Sequence, residues 1–384
     1  MTETADVVVV GGGVVGVSAA YHLAAAGAGA VLLLERAGEL GTGATGACAG
    51  GFRHQFSSRV NILLSLASVQ MILRFSEEHG LPLDLAQDGY LFLVRSEDSW
   101  KEFMAAVDLQ RSLGVEVEVL APEEAARLVR GIDIEGLVGA TFGPKDGIAD
   151  PSGLTQGYAT VARRAGADIR TGVEVRGIEV TGGKVTGLAT SAGTVSAPVV
   201  INAAGPWARL LAATAGVDLP VEPIPRQVVV TGPFPGAPDR KTLVIDADTT
   251  FYFHREGPGV LMGMGGRDER ASFDTRVDER FIEEEVLPMA VRVFPPLEEA
   301  DLRYRWCGLY EMSPDRHPII GEAPAAPGLY LANGFSGHGF QHAPIVGKLL
   351  AEMIVEGAAR TVDVSTLGLD RFAAGPVVAE HHVV

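Results

Sequence analysis

The sequence predicts an α/β chain in which a doubly wound nucleotide-binding domain is joined to a second, β-rich α+β domain. Three observations carry this. A β-branched run, Val7–Val10, enters a glycine turn and a helical pattern before a second apolar run, Val31–Leu34. A third short apolar strand, Val199–Asn202, returns to the same pattern far along the chain. Between residues 217 and 305 short strands recur at 227–230, 243–245, 251–254 and 260–263, followed by a helix around 279–294.

The opening unit carries the chemistry. Gly11-Gly12-Gly13-Val14-Val15-Gly16 follows the first strand directly and opens a helical pattern that runs through Leu23. Gly11 permits the tight turn, Gly13 lets the backbone approach a pyrophosphate, and Gly16 lets helix and strand close up. The helix N-terminus offers unpaired N–H groups and partial positive charge to phosphates. Glu35 lies 19 positions beyond Gly16, placed to accept hydrogen bonds from an adenosine ribose, which argues against a 2′-phosphate. The pattern specifies a dinucleotide site. By itself it does not choose between a flavin and a nicotinamide.

Composition narrows the classes. A chain of 384 residues, 47% of them hydrophobic, is long enough for two domains. A formal net charge of −17 makes nucleic acid a poor partner and leaves no basic patch for anionic membranes. Two cysteines cannot support a disulfide scaffold, and the start lacks a basic, cleavable pattern, so a reducing cytoplasm is the expectation. No stretch is expected to offer the uninterrupted apolar length of a membrane span. Neither a CxxC pair nor clustered metal ligands are visible.

In chain order, the glycine- and alanine-rich stretch 41–51 leads into Phe52-Arg53-His54-Gln55-Phe56. Such a loop lets backbone approach a planar ligand, and its end is the first candidate for a substrate-facing wall. Residues 61–79 read as an amphipathic helix, 89–94 as a strand and 98–114 as another helix. Pro122, with Glu123 and Glu124, opens a further helix. Asp150 is placed to cap a helix reaching about residue 165. Strands over 167–175 and 184–189 are expected to form a hairpin. Near the end, 329–332 reads as a strand that feeds Asn333-Gly-Phe-Ser-Gly337-His338-Gly339-Phe340-Gln341, with a helix expected from Pro344 to about residue 355. Terminal N–H groups at this second glycine turn suit negative charge developing on a bound ring.

With these motifs in place, the chain resembles the glycine/sarcosine oxidase and D-amino-acid-oxidase family of FAD enzymes over nearly its full length. The matching signatures are Gly11 to Gly16 with Glu35-Arg36, Gly205-Pro206-Trp207, residues 306–321 and residues 334–340. It looks closest to the beta subunits of heterotetrameric sarcosine oxidases and to related proline and dimethylglycine dehydrogenases, which implies a hetero-oligomer as one form of assembly. The resemblance implies a discontinuous FAD-binding domain over 1–79, 141–216 and 306–384, with a substrate domain over 80–140 and 217–305. It also implies that Gly11, Gly12, Gly13, Val15, Gly16, Glu35, Arg36, Val173, Gly205, Gly308 and the turn Gly337, His338, Gly339, Phe340, Gln341 surround FAD. Monomeric sarcosine oxidases have a lysine near the flavin that promotes reaction with oxygen; the matching position here is Leu261. They hold the substrate carboxylate with a lysine where this chain has Gln341. They attach FAD to a cysteine in the late signature, and Cys307 lies in the comparable stretch, one residue out of spacing. FAD is therefore expected to be noncovalent, with a thioether through Cys307 as the alternative, while Cys48 reads as a packing residue.

The implied reaction is oxidation of a small secondary or tertiary amino acid, sarcosine first, to an imine or iminium that is then hydrolysed, with hydride passing to flavin N5 and electrons to oxygen. The flavin performs this chemistry, and the protein orients substrate and tunes charge. Arg53 is the first candidate for the carboxylate anchor, because a guanidinium fork suits that group. Tyr252 is a candidate substrate contact and His338 a candidate for orienting the flavin. His54 and His254 are weaker candidates, and no general base is named. Three alternatives stay open: a proline or dimethylglycine dehydrogenase passing electrons to a protein or quinone, a noncatalytic FAD-binding subunit, and a flavoprotein reduced by NAD(P)H.

Overall fold

The computed structural model describes residues 3–266, 269–373 and 378–383. Its first layer is a six-stranded sheet in the order Asp168–Arg170, Val31–Leu34, Val7–Val10, Val199–Asn202, Leu329–Asn333, Ile319–Glu322. Five of these strands run parallel, and only Ile319–Glu322 pairs antiparallel. Strand alternation explains the two buried faces. Val7 and Val9 point into a helical layer, whereas Val8 and Val10 point into a layer that includes Ile178, Leu188 and Leu211. The helical layer holds Val14–Ala25, Arg59–His79, Pro151–Arg164 and Gly339–Ala351. Helices Val14–Ala25 and Gly339–Ala351 cross closely, since a Cβ on Gly347 would lie 2.3 Å from Ser18 Oγ.

The second layer is an eight-stranded sheet in the order Leu302–Met312, Glu222–Thr231, Gly259–Met264, Tyr252–Glu256, Leu243–Asp246, Tyr90–Val94, Gly139–Gly143, Glu118–Leu120. Leu91, Leu93, Phe253 and Met262 face a core shared with the helical segments 279–293 and Pro122–Leu128. Tyr90, Phe92 and Ile245 face the other side, against Phe103. This is the expected α/β architecture with a separate β-rich region. Two of its strands cross the expected boundaries: Leu302–Met312 runs through residue 306 and Gly139–Gly143 through residue 141, both inside the large sheet.

Three local expectations are corrected. The strand expected over 167–175 ends at Arg170, because Gly172 turns the chain at φ +72°; the hairpin partner of Lys184–Thr190 is Val175–Thr181. Pro344 lies inside the last long helix rather than opening it. The turn is already complete at Gly337 (φ +93°), so the helix begins at Gly339 and forgoes one backbone bond at the proline. Arg59–His79 does reach the length and mean hydropathy (1.2) of a candidate membrane span. In this fold its Leu64, Val69, Ile72 and Phe75 are buried in the helical layer, and Ser65 and Ser68 hydrogen-bond to residues of the helix Gly339–Ala351.

Candidate active site

A cavity of about 590 Å³ runs from the first glycine turn to the second, between the two large sheets. At one end lies the N-terminus of Val14–Ala25, whose cap residue Gly13 contributes no side-chain hydrogen bond, leaving helix N–H groups for a ligand. Gly11 needs its φ of +113°, and a Cβ there would meet Ala203 O at 2.3 Å. Gly16 is equally tight: a Cβ would lie 1.9 Å from Gly11 O. Glu35 reaches into this end, where Oε2 accepts from Gly12 N–H at 2.6 Å and Oε1 from Ala37 N–H at 2.7 Å. Thr45 Oγ1 accepts from Val14 N–H at 3.2 Å, and Trp306 Nε1 donates to Ala47 O at 3.0 Å. Those two bonds tie the glycine-rich loop across the cavity.

Of the residues expected around a cofactor, Gly11, Gly13, Val15, Glu35, Arg36, Val173, Gly205, Gly308, Gly337, Gly339 and Phe340 line this cavity. Arg36 is held over the Trp207 ring, 3.7 Å from its centroid. Gly12 and Gly16 do not line it; they set the turn that shapes it. Gln341 and His338 also lie outside it and line a smaller chamber of about 70 Å³ that adjoins it. Cys307 lines neither space. Its Sγ lies 4.0 Å from Asp274 O and 3.4 Å from Gly308 O, whereas the neighbouring Gly308 lines the cavity. Cys48 does line both spaces, and burial pushes its thiol up to about 11, so it stays protonated and unreactive near neutral pH.

The smaller chamber gathers Arg53, Tyr90, Tyr252, Tyr310, Gly337 and Phe340. Three rings each stand against a glycine: a Cβ on Gly51 would lie 1.7 Å from Tyr90 Oη, one on Gly263 2.5 Å from Tyr252 Oη, and one on Gly337 2.6 Å from the Tyr310 ring. Burial raises all three phenols, leaving neutral hydroxyl donors. Arg53 is 4% exposed, with Cζ 3.9 Å from the Phe56 ring centroid. Its guanidinium donates to Gln55 O, to His382 O and, at 3.2 Å, to His338 Nε2. Burial, with Arg53 and His342 beside it, holds His338 well below the usual histidine range, so its neutral ring accepts that bond. Gln341 does not reach for a ligand: its Oε1 accepts from Arg53 N–H at 3.0 Å and its Nε2 donates to Ser65 Oγ at 2.9 Å.

His54 and His254 line neither space. His54 Nδ1 pairs with buried Asp146 at 2.6 Å, and His254 Nδ1 bonds Arg255 O at 2.8 Å. Leu261 is buried in Gly259–Met264 opposite His254, also away from both linings. Sequence reasoning missed Arg226, Tyr310 and Glu311 as cavity residues. Arg226 pairs with Glu269 at 2.7 Å and lies over Tyr310, 4.8 Å from its centroid. Glu311 has an Oε2 sealed from solvent without a partner among the described residues. Alternation within 302–312 does not select both Tyr310 and Glu311, which are adjacent, and only the register that pairs Arg226 with Gly308 places Arg226 beside them.

The cavity fits FAD in its donor set: helix N–H groups for the pyrophosphate, Glu35 for the ribose, and a second helix N-terminus at Gly339 for the ring. The family described as "FAD dependent oxidoreductase" (DAO) matches residues 6–353. The chain is 32% identical to "FAD-dependent oxidoreductase domain-containing protein 1" of Bos taurus, covering 100% of this chain and 87% of that protein. It is 30% identical to the mitochondrial sarcosine dehydrogenase of Mus musculus over 93% of this chain, and so spans only 40% of that longer protein. Among solved structures, L-proline dehydrogenase from P. horikoshii superposes with a TM-score of 0.91 at 33% identity, covering 98% of this chain and 100% of that one. The chain belongs to the DAO family of FAD-dependent oxidoreductases.

Proposed function

We propose that the protein dehydrogenates a small secondary or tertiary amino acid at the C–N bond, with proline, sarcosine and dimethylglycine as the candidate substrates. The observation that carries this is the 70 Å³ chamber holding one buried guanidinium and three neutral phenols, open beside the flavin-sized cavity. Its size suits a small substrate, and its single sign of charge suits a carboxylate. FAD bound in the larger cavity would accept the hydride. Arg53 attracts and orients the carboxylate, the Tyr252 and Tyr310 hydroxyls donate hydrogen bonds, and Phe340 and Gly337 line both spaces where the chamber adjoins the cofactor cavity. Loss of hydride from the carbon beside nitrogen leaves an iminium, which in a secondary amine gives its N–H proton to water to form the imine; water then adds and hydrolyses either form to the carbonyl compound and the amine.

Electron transfer to an acceptor other than oxygen is favoured over the oxidase reading. The likeness to a protein titled L-proline dehydrogenase supports it. Burial and neighbouring cations keep His338 neutral, but it is already spent on Arg53, so the substrate amine must arrive unprotonated and turnover rises with pH. The test is anaerobic reduction of the bound flavin by a panel of proline, sarcosine, dimethylglycine and glycine, followed by oxygen. Bleaching that persists in oxygen and is relieved by a quinone or dye acceptor supports the dehydrogenase. Rapid recovery in oxygen favours the oxidase, and a flavin that no amine bleaches refutes the substrate class.

A further inference from the structure

A segment remote in sequence, residues 378–383, reaches the arginine of the chamber. A buried guanidinium needs acceptors on every side it cannot turn to water. Arg53 finds one in its own loop (Gln55 O), one in the second glycine turn (His338 Nε2) and one in the carbonyl of His382. That carbonyl is not held by chance. The His382 ring stacks on Phe103 at 4.0 Å between centroids and 19° between planes, and the His382 backbone N–H donates to Glu380 Oε1 at 3.1 Å.

Glu380 is the anchor of this segment and is 0% exposed. Its Oε1 accepts from Ser57 N–H at 2.7 Å and Ser57 Oγ at 2.5 Å; its Oε2 accepts from Ser58 N–H at 3.1 Å, Ser58 Oγ at 2.6 Å and Asn61 Nδ2 at 3.1 Å. Ser58 caps the 21-residue helix Arg59–His79 without a side-chain bond to the helix backbone, and the Glu380 carboxylate supplies the negative charge that this N-terminus favours. Its backbone N–H donates to Asp315 O at 3.0 Å. Burial alone would raise the carboxyl, but His382 and the donors from Ser57 and Ser58 overcome it and hold Glu380 ionised. With Asp146, it is one of two carboxylates whose field bears on Arg53.

We propose that Glu380 is a positioning residue of the substrate chamber: by clamping residues 378–383 to the start of the helix Arg59–His79, it aims the His382 carbonyl at Arg53 and fixes the guanidinium that receives the substrate carboxylate. This inference rests on the assignment of Arg53 as carboxylate anchor. Glu380 does not touch the reacting atoms, so its loss weakens capture of a carboxylate without slowing the hydride step once substrate is seated.

The experiment compares the full-length holoenzyme with Glu380→Gln and with a chain ending at Ala379. Two readouts are taken: KM and kcat for the amino acid that bleaches the flavin, and the dissociation constant of sodium acetate from its perturbation of the visible flavin spectrum. The expected result is a rise of about tenfold or more in both KM and the acetate constant, with kcat within about threefold and flavin content unchanged. Unchanged acetate binding and KM in Glu380→Gln overturns the inference and leaves the Arg53 assignment standing. Loss of flavin with a parallel fall of kcat in that variant also overturns it, as a purely structural role. If the shortened chain does not fold, Glu380→Gln decides. Wild-type protein that neither binds acetate nor is bleached by any amino acid refutes the Arg53 assignment, and this inference with it.

Discussion

Glu311 gives the sharpest electrostatic prediction. It lines the cofactor cavity, its Oε2 is sealed without a partner among the described residues, and burial pushes its carboxyl up from 4.5 to about 8, only partly offset by the N–H groups of Gly334 and Phe335. No charged side chain contributes to that balance. A carboxyl raised on folding stabilises the fold fully below its unfolded value and loses that contribution as pH climbs through its folded value. Wild-type stability therefore declines from this group between about pH 4.5 and 8 and levels off above. At about 1.36 kcal/mol per pH unit the full displacement amounts to at most about 5 kcal/mol, and the cavity-facing side of the residue lowers this to roughly 3 kcal/mol. Glu311→Gln keeps the shape and has nothing to ionise, so it matches or falls slightly below wild type at pH 5 and exceeds it at pH 9. Urea unfolding of the FAD-loaded proteins at unit steps from pH 5 to 9 measures the gap. Parallel curves for the two proteins would show that Glu311 ionises normally and would sink the reasoning.

Two further outcomes follow from the same cavity. Gly16→Ala places a methyl 1.9 Å from Gly11 O, a contact backbone cannot yield to, so the purified variant is expected to carry little FAD by the ratio of visible to ultraviolet absorbance. A variant with full flavin content would show that the first turn does not need its close approach. Cys307→Ser leaves the mode of flavin attachment unchanged, because its Sγ faces Asp274 and not the cavity. Acid precipitation should leave flavin in the same fraction for both proteins, and a switch from pellet to supernatant would restore the thioether.

What the sequence disclosed and what it hid follow from the range of the interactions. The first glycine turn was legible because its parts are adjacent: strand, Gly11, Gly13, Gly16 and Glu35 form one local unit whose backbone needs fix the residue types. The same holds for the Asp150 cap, whose two oxygens accept from Ser152 and Gly153 N–H at 2.9 Å. The fold class was legible because a parallel strand buried on both faces leaves a continuous apolar run. The substrate chamber was only half legible. Arg53 and Tyr252 could be picked out by position, but Tyr310, with Arg226 in the adjoining cavity, is placed through a strand register formed between residues some eighty positions apart.

The second half of the chamber also explains why residue type misled at Cys307, Gln341 and Pro344. The stretch of this strand that meets the cavity starts at Gly308, so a one-residue difference in spacing leaves Cys307 off the wall. In the second turn, three left-handed residues (Gly334, Ser336 and Gly337) complete the reversal early, start the helix at Gly339 and turn Gln341 inward to grip the backbone of Arg53 on both sides. Gln341 and the Glu380 segment thus fix the main chain and the guanidinium of one arginine from two directions. An arginine held this way is pre-ordered before any substrate arrives, and the conformational cost of fixing a long cationic side chain is met by folding and not by binding. On the proposal that Arg53 anchors the substrate carboxylate, that ordering is how a chamber of only about 70 Å³ would select one.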